Sequence, residues 1–383
     1  MDSSERSTRR GRFRTRTAIS VVVLAGIVGG VSVPLALAGD GPNSPSAAVA
    51  EWARMHGLGG VVTLMEQAAY ALNPPRTGGT VSGGITTPTP VSVATPAASR
   101  TSASAPSGPA APDPLTIPAG LAPLLGEGQW TSLAMANGRP AARVAHMRPD
   151  AVHTSYVVSM VWMDPSLLKF TLHPGTQVPG AVTGATSQLA GAERSGVWAT
   201  FNSGFQMKDA QGGYWQNGQT VVPLSVGAAS MVLTSDGRLS VMAWPGGVPR
   251  AGVVAVRQNL SLLIDHGVTA PSVNSKVTAD WGKTVGNAAY VWRSAVGVRA
   301  DGTVVVACGP ALSVATLASA LQAAGAQSAM ELDINKDWTS FITYNQPGAV
   351  PHRLTPDQIP AANRYLSPSP RDFVAVALRG AGA

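Results

Sequence analysis

At 383 residues, 45% hydrophobic and only 12% charged, the chain has ample material for a large buried core and is poor in charge for a cytosolic protein. Its formal charge of +7 does not mark a nucleic-acid partner: six Arg and two acids fall within residues 1–17, and the remainder has no Lys/Arg cluster or basic aromatic stripe. One cysteine excludes an intrachain disulfide, and the run Val304-Val305-Val306-Ala307-Cys308 reads as the setting of a buried structural thiol.

Residues 1–17 form a basic tail, and Ala18 to Ala38 carry no charge. That span is long enough to cross a bilayer as a helix. With the arginines held inside, the N-terminus is predicted to be cytoplasmic and everything after Ala38 extracellular, in a single-pass protein of the cell membrane. The rival reading is secretion after cleavage at Ala36-Leu37-Ala38, a small-x-small site. Arg9-Arg10 lacks the apolar residue that a twin-arginine export signal needs two places on, where Arg12 stands. Residues 47–72 predict a short helical segment near the membrane, with Val49, Trp52, Met55, Val62, Met65 and Ala69 at helical spacing around Gly57-Leu58-Gly59-Gly60. Residues 73–114 are a Pro/Gly/Ser/Thr-rich linker with too few large apolar side chains to offset their ordering entropy. At about 3 Å per residue where it is polyproline-like, such a linker reaches on the order of 100 Å.

The folded domain is predicted over 115–383, with α+β or α/β architecture built on a mixed sheet with few helices. Val157–Met163 and Leu167–Leu172 read as strands about Asp164-Pro165, most simply as an antiparallel hairpin. Asp236-Gly237 and Asp301-Gly302, each between alternating apolar runs, predict two tight hairpins. Ser313 caps a helix with the stripe Val314, Leu317, Ala318 and Leu321, and Gly325 ends it. Ser328 to Ile334 is then a strand.

Chemistry concentrates in three places. On the strand Ser328 to Ile334, alternation puts Glu331 and Asp333 on one face, where buried carboxylates are costly unless paired or catalytic. The plain alternative is a structural role, with the two acids capping loops or pairing with Arg293 and Lys336. On Tyr290 to Val298, Arg293 shares a face with Ala295 and Gly297, whose small side chains suggest open space where a guanidinium grips phosphate. Arg257, before Gln258-Asn259, is a similar candidate. Asn202-Ser203-Gly204-Phe205 ends an apolar strand in a turn able to present N–H groups and an amide to sugar or phosphate oxygens, though alone it is an ordinary turn. Tyr214-Trp215 offers either a sugar platform or core packing. His153 has no second His or Cys at metal-ligand spacing, so no metal site is predicted and no cofactor is called for, with a divalent cation left open.

The order of Asn202-Ser203-Gly204-Phe205, Arg293-Ser294-Ala295-Val296-Gly297 leading into an Asp-Gly hairpin, a helix ending in Gly325-Ala326, and Leu332-Asp333 resembles the phosphodiester glycosidase family. Together with His153-Thr154-Ser155-Tyr156-Val157, the layout is similar to its membrane-anchored actinobacterial members, over about Tyr156 to Tyr344. The resemblance implies hydrolysis of a glycosyl-1-phosphodiester, with a phosphorylated glycan or wall polymer as partner. Arg293 would hold the phosphate, Asp333 or Glu331 would act as base or nucleophile, and Asn202, Gly204, Arg257 and Gly297 would line the site. Where the family continues after Leu-Asp with glycines and serines, this chain has Ile334-Asn335-Lys336-Asp337-Trp338-Thr339-Ser340. That implies a different pocket, with Asn335, Lys336 and Ser340 as donors and Trp338 stacked on a sugar. The alternative from another class is a non-catalytic wall-polymer binding protein.

Overall fold

The computed structural model describes residues 57–81 and 108–380, apart from 276–277, 283 and 285–288, together with residues 49, 53, 85, 91 and 92. The basic tail and the span Ala18 to Ala38 lie outside these residues. No helix among the described residues is long and apolar enough to cross a membrane.

Alternation along Val304–Leu312 sets the layering. Val304, Val306 and Cys308 face a core shared with Phe170, Trp198, Phe201 and Val376, whereas Val305 and Ala307 pack in a second core beneath Leu317, Ala318 and Leu321. The strand is buried on both faces, which is why its sequence is almost unbroken in apolar residues. Cys308 is buried, and burial pushes its thiol up to about 12, out of reach of thiolate chemistry at neutral pH.

The central layer is a nine-stranded sheet in the order Val91–Ser92, Thr131–Ala136, Arg139–Met147, Val158–Met163, Val304–Leu312, Val291–Arg299, Ala326–Glu331, Leu262–Asp265, Val268–Thr269. Its first pair is parallel and the others are antiparallel. Val304–Leu312 and Ala326–Glu331 flank Val291–Arg299 and are both antiparallel to it. They therefore run parallel to each other and need a crossover, which the helix Val314–Ala323 provides. Two five-stranded sheets cover the other face. One runs Leu239–Ala243, Ala229–Thr234, Val253–Gln258, Tyr214–Gln216, Gln219–Val222; the other Val350–Arg353, Phe341–Asn345, Val197–Asn202, Phe373–Leu378, Leu168–His173. The protein is thus mostly β with few helices.

Elements specified by local chemistry form where the sequence places them. Gly237 and Gly302 take φ of +76° and +80° in the two Asp-Gly hairpins. Ser313 and Thr316 form a reciprocal capping box, and Gly325 follows at φ +81°. The expected hairpin about Asp164-Pro165 does not form. Val158–Met163 has both edges occupied by other strands, and Leu168–His173 joins a five-stranded sheet, packing face to face across the core. Asp164 holds the sheet-to-sheet turn through the Ser166 N–H and Arg139. The helix Gly59–Leu72 falls within segment 47–72. Just beyond it, residues 76–79 are bonded to the domain through Tyr156 Oη, Val152 O and Thr154 Oγ1, contacts the linker composition did not foreshadow.

Candidate active site

The ends of strands from all three sheets meet at one place. Val197–Asn202 delivers Asn202, Val253–Gln258 delivers Arg257 and Asn259, and Ala326–Glu331 delivers Glu331 and Asp333; Phe341–Asn345 and Phe373–Leu378 begin there with Ser340 and Asp372. The turn at Asn202 ties them together. Its Nδ2 donates to Ser294 Oγ at 2.9 Å, its Oδ1 accepts the Ser340 N–H at 2.8 Å, and the Ser203 carbonyl accepts the Asp333 N–H at 3.1 Å. Gly204 is needed for close approach: a Cβ there would stand 3.0 Å from Asn259 Cγ and 3.2 Å from Arg257 Cζ. Asn259 in turn accepts the Phe205 N–H and donates to Glu331 O.

Four sequence-derived candidates occupy structural positions. Arg257 is fully buried, with Nε on Asp372 at 2.7 Å, Nη1 on Gln258 O at 2.6 Å and Nη2 on Phe205 O. Arg293 is sealed from solvent: its Nη1 meets Glu331 Oε1 at 2.5 Å, while its Nε donates to Leu312 O and its Nη2 to Ala289 O. The expected open floor beside Arg293 is filled, since a Cβ on Gly297 would stand 3.0 Å from Ala326 Cβ and 3.2 Å from Ala329 Cβ. Asn202 is buried, its amide engaged as above. Tyr214 is core as well, bonded to Gln216, so Tyr214-Trp215 forms no open platform.

The expectation that Glu331 and Asp333 share a face with Arg293 is corrected in half. Glu331 does pair with Arg293, but the strand ends at Glu331 and Asp333 has left it. The cause is long-range. The Asp333 carbonyl accepts from Ser294 N, Ser294 Oγ and Thr339 Oγ1, and its N–H goes to Ser203. This turns the carboxylate toward Arg371, 3.7 Å away, with the Asn335 N–H on its Oδ1 at 2.9 Å. Asn335 also accepts the Asp337 N–H, closing a tight turn. Trp338 is only 3% exposed, so it is not open for a sugar to stack on. It carries instead the guanidiniums of Arg371 at 4.6 Å and Arg364 at 4.9 Å.

Sequence reasoning did not single out Arg364, Arg371 or Asp372. Their signal was present: Arg371-Asp372 stands between Pro370 and the wholly apolar run Phe373–Leu378, an unusual place for two charges unless they are used.

Burial raises both acids. Asp333 is raised first by desolvation, against Arg371 and two N–H groups, and Glu331 reaches about 7 by desolvation despite Arg293. A carboxyl group raised in the folded state contributes stability that is fully present below its ordinary value and is lost as pH rises through about 7. His146, pushed down to about 4 by burial, acts in the opposite sense over an overlapping range. Bulk stability therefore mixes the two, and Glu331→Gln separates them. Between pH 5 and 7.5 the wild type should lose stability relative to Glu331→Gln, measured as the difference in urea midpoints; a pH-independent difference would contradict the raised acid.

Residues 194–333 match the family model described as phosphodiester glycosidase. The match takes in Asn202, Gly204, Arg257, Arg293, Glu331 and Asp333 and stops before Trp338, Arg364 and Arg371. No curated protein matches the chain. Among solved structures, the zebrafish N-acetylglucosamine-1-phosphodiester alpha-N-acetylglucosaminidase catalytic domain, auto-inhibited by its pro-peptide, aligns at 13% identity and a TM-score of 0.40, over 65% of this chain and 87% of that one. A hypothetical protein from Synechocystis aligns at 13% identity and a TM-score of 0.33, over 62% and 64%. On the family-model match, residues 194–333 are similar to the phosphodiester glycosidase family.

Proposed function

We propose that the chain is an extracytoplasmic hydrolase that cleaves a sugar from a glycosyl-1-phosphodiester of the cell envelope, with Asp333 as general base. The uncharged span after the basic tail supports a membrane-anchored or exported chain. One observation carries the catalytic reading: Asp333 is a largely buried carboxyl group, raised by desolvation, held at the junction of three sheets and contacting Arg371. Glu331 is fully buried against Arg293 and serves as scaffold.

In this reading a water oxygen bonds to the anomeric carbon as the bond from that carbon to the phosphate oxygen breaks. The bonding pair leaves on phosphate, and the water proton passes to Asp333 and then to solvent. The products are a free sugar and a phosphomonoester. A phosphate ester departs readily, so no strong general acid is required.

A second reading, binding without chemistry, is favoured by two concavities that lie apart from Asp333. These, of about 450 and 210 Å³, are lined by residues including Leu262, Val268 and Pro271, and by Gly191, Arg194, Ser195 and Gly348; neither touches Asp333. Full-length protein offered a panel of glycosyl-1-phosphodiesters and wall-polymer fragments separates the two. Release of reducing sugar supports the hydrolase, and retention without release supports the binding protein.

A further inference from the structure

We propose that the helix Gly59–Leu72 lies along the bilayer surface with its outward apolar face in the lipid, and so holds the folded domain at the membrane. This rests on the membrane-anchored form of the reading above, and not on the hydrolase chemistry. Five apolar residues of the helix, Val61, Leu64, Met65, Ala68 and Leu72, are exposed, Leu64 by 66% and Leu72 by 79%. At 3.6 residues per turn they fall within roughly 120° of arc, centred opposite Tyr70. Tyr70 is the side chain that docks: its hydroxyl donates to Tyr290 O at 3.1 Å, and Val62 is buried. The apolar face is therefore directed away from the domain.

The chain before the helix says what covers that face. The uncharged span ends at Ala38 and helical backbone is already present at Val49. The intervening residues 39–48 reach at most about 35 Å when fully extended. A helix of 14 residues is about 21 Å long, too short to cross a hydrocarbon core of about 30 Å, but it can lie on one. Glu66 is its one charged residue, so attachment comes from apolar insertion and not from attraction to anionic lipid. A free helix of this length would bind weakly, and the span makes the contact intramolecular. A second copy of the chain is the poorer occupant, because one face of a 14-residue helix falls well short of the roughly 800 Å² that each partner of a stable interface buries.

The docked side of the helix fixes where the domain stands. The Arg76 N–H donates to Tyr156 Oη at 3.0 Å, the Gly78 N–H to Val152 O at 2.7 Å, and Thr154 Oγ1 to Gly79 O at 2.8 Å. Further along, Val91–Ser92 pairs with Ala134 and Met135, and the Leu115 N–H bonds Gly128 O. Both ends of the Pro/Gly/Ser/Thr-rich segment 73–114 are thus attached to the domain. The segment closes a loop, and its extended reach on the order of 100 Å does not separate the domain from the bilayer. Tyr290 immediately precedes the strand Val291–Arg299, so the docked helix stands at the strand end that carries Arg293 and Ser294, on the side of the candidate site.

Full-length protein reconstituted in phosphatidylcholine vesicles tests this without any turnover. Leu64→Cys places one reactive thiol on the apolar face, since Cys308 is buried, and an exposed position tolerates the change. A nitrobenzoxadiazole label there should lose about half of its emission or more to lipid nitroxides at headgroup depth. Adding Val61→Ser, Met65→Ser and Leu72→Ser should remove most of that quenching, which mere nearness to the bilayer would not do. Alkaline carbonate extraction reads the span separately. A chain retained by the vesicles whose label stays unquenched, or whose quenching survives the three serines, overturns the proposal and leaves the anchor standing. A chain washed off removes the anchor and the proposal with it. Disulfide cross-linking of two copies through position 64, in place of lipid quenching, assigns the face to a second copy and likewise overturns the proposal.

Discussion

Asp333→Asn is expected to lower hydrolysis of a glycosyl-1-phosphodiester by about 10²–10⁴-fold, the usual contribution of a positioned acid or base. The substitution keeps the shape of the side chain, and the Asn335 N–H that now bonds Oδ1 at 2.9 Å can still bond the amide oxygen. The Asp333 backbone, bonded through its N–H and carbonyl to Ser203, Ser294 and Thr339, is untouched. A loss of rate with an unchanged melting transition therefore reports chemistry. Initial-rate assays of wild type and variant on one substrate settle it, and a variant within threefold of wild type would remove Asp333 from the mechanism.

Arg257→Met should be the most damaging of the stability changes. The guanidinium is fully buried and bonds Asp372, Gln258 O and Phe205 O. Methionine fills much of the volume but leaves the buried Asp372 carboxylate without its cation. Breaking a buried pair from one side costs about 3–5 kcal/mol, a large part of the roughly 5–15 kcal/mol by which a domain is stable. The urea midpoint should fall accordingly. A double variant, Arg257→Met with Asp372→Asn, should recover part of the loss because no unpaired charge remains. A single variant that unfolds at the wild-type midpoint would show that the Arg257–Asp372 pair does not stabilise the fold.

The residues legible from sequence are those whose role is set within a few positions. The Asp-Gly hairpins, the Ser313 cap and Gly325 all formed as read, because turn and cap chemistry is local. The Glu331–Arg293 pair was also visible, as the structural alternative, since both lie on neighbouring strands of one sheet. What sequence did not show depends on tertiary contacts. Asp333 departs from strand alternation because Ser203, in the turn that follows a strand of another sheet, captures its N–H. Asp164-Pro165 is compatible with either a hairpin or a change of sheet, and the occupied edges of Val158–Met163 decide for the latter. Trp338 reads equally well as a sugar platform or a cation platform until Arg364 and Arg371 arrive from far along the chain.

The segment Ile334 to Ser340, where the family resemblance implied glycines, also has a physical reading. Asn335 and Asp337 close the turn with side-chain and backbone bonds of their own, so backbone flexibility is not needed to shape it. Ser340 reaches Tyr365 Oη at 2.9 Å, and Arg364 bonds Asp337 O, so this segment is braced against residues 364–365. The family match ends at Asp333, immediately before this bracing begins.

Reaction in ¹⁸O-labelled water tests the central claim most directly, because it reports which bond breaks. Water attack at the anomeric carbon places the label in the hydroxyl of the released sugar and leaves the phosphomonoester unlabelled. Label in the phosphate would mean cleavage at phosphorus and would contradict a glycosidase that uses Asp333 as its base.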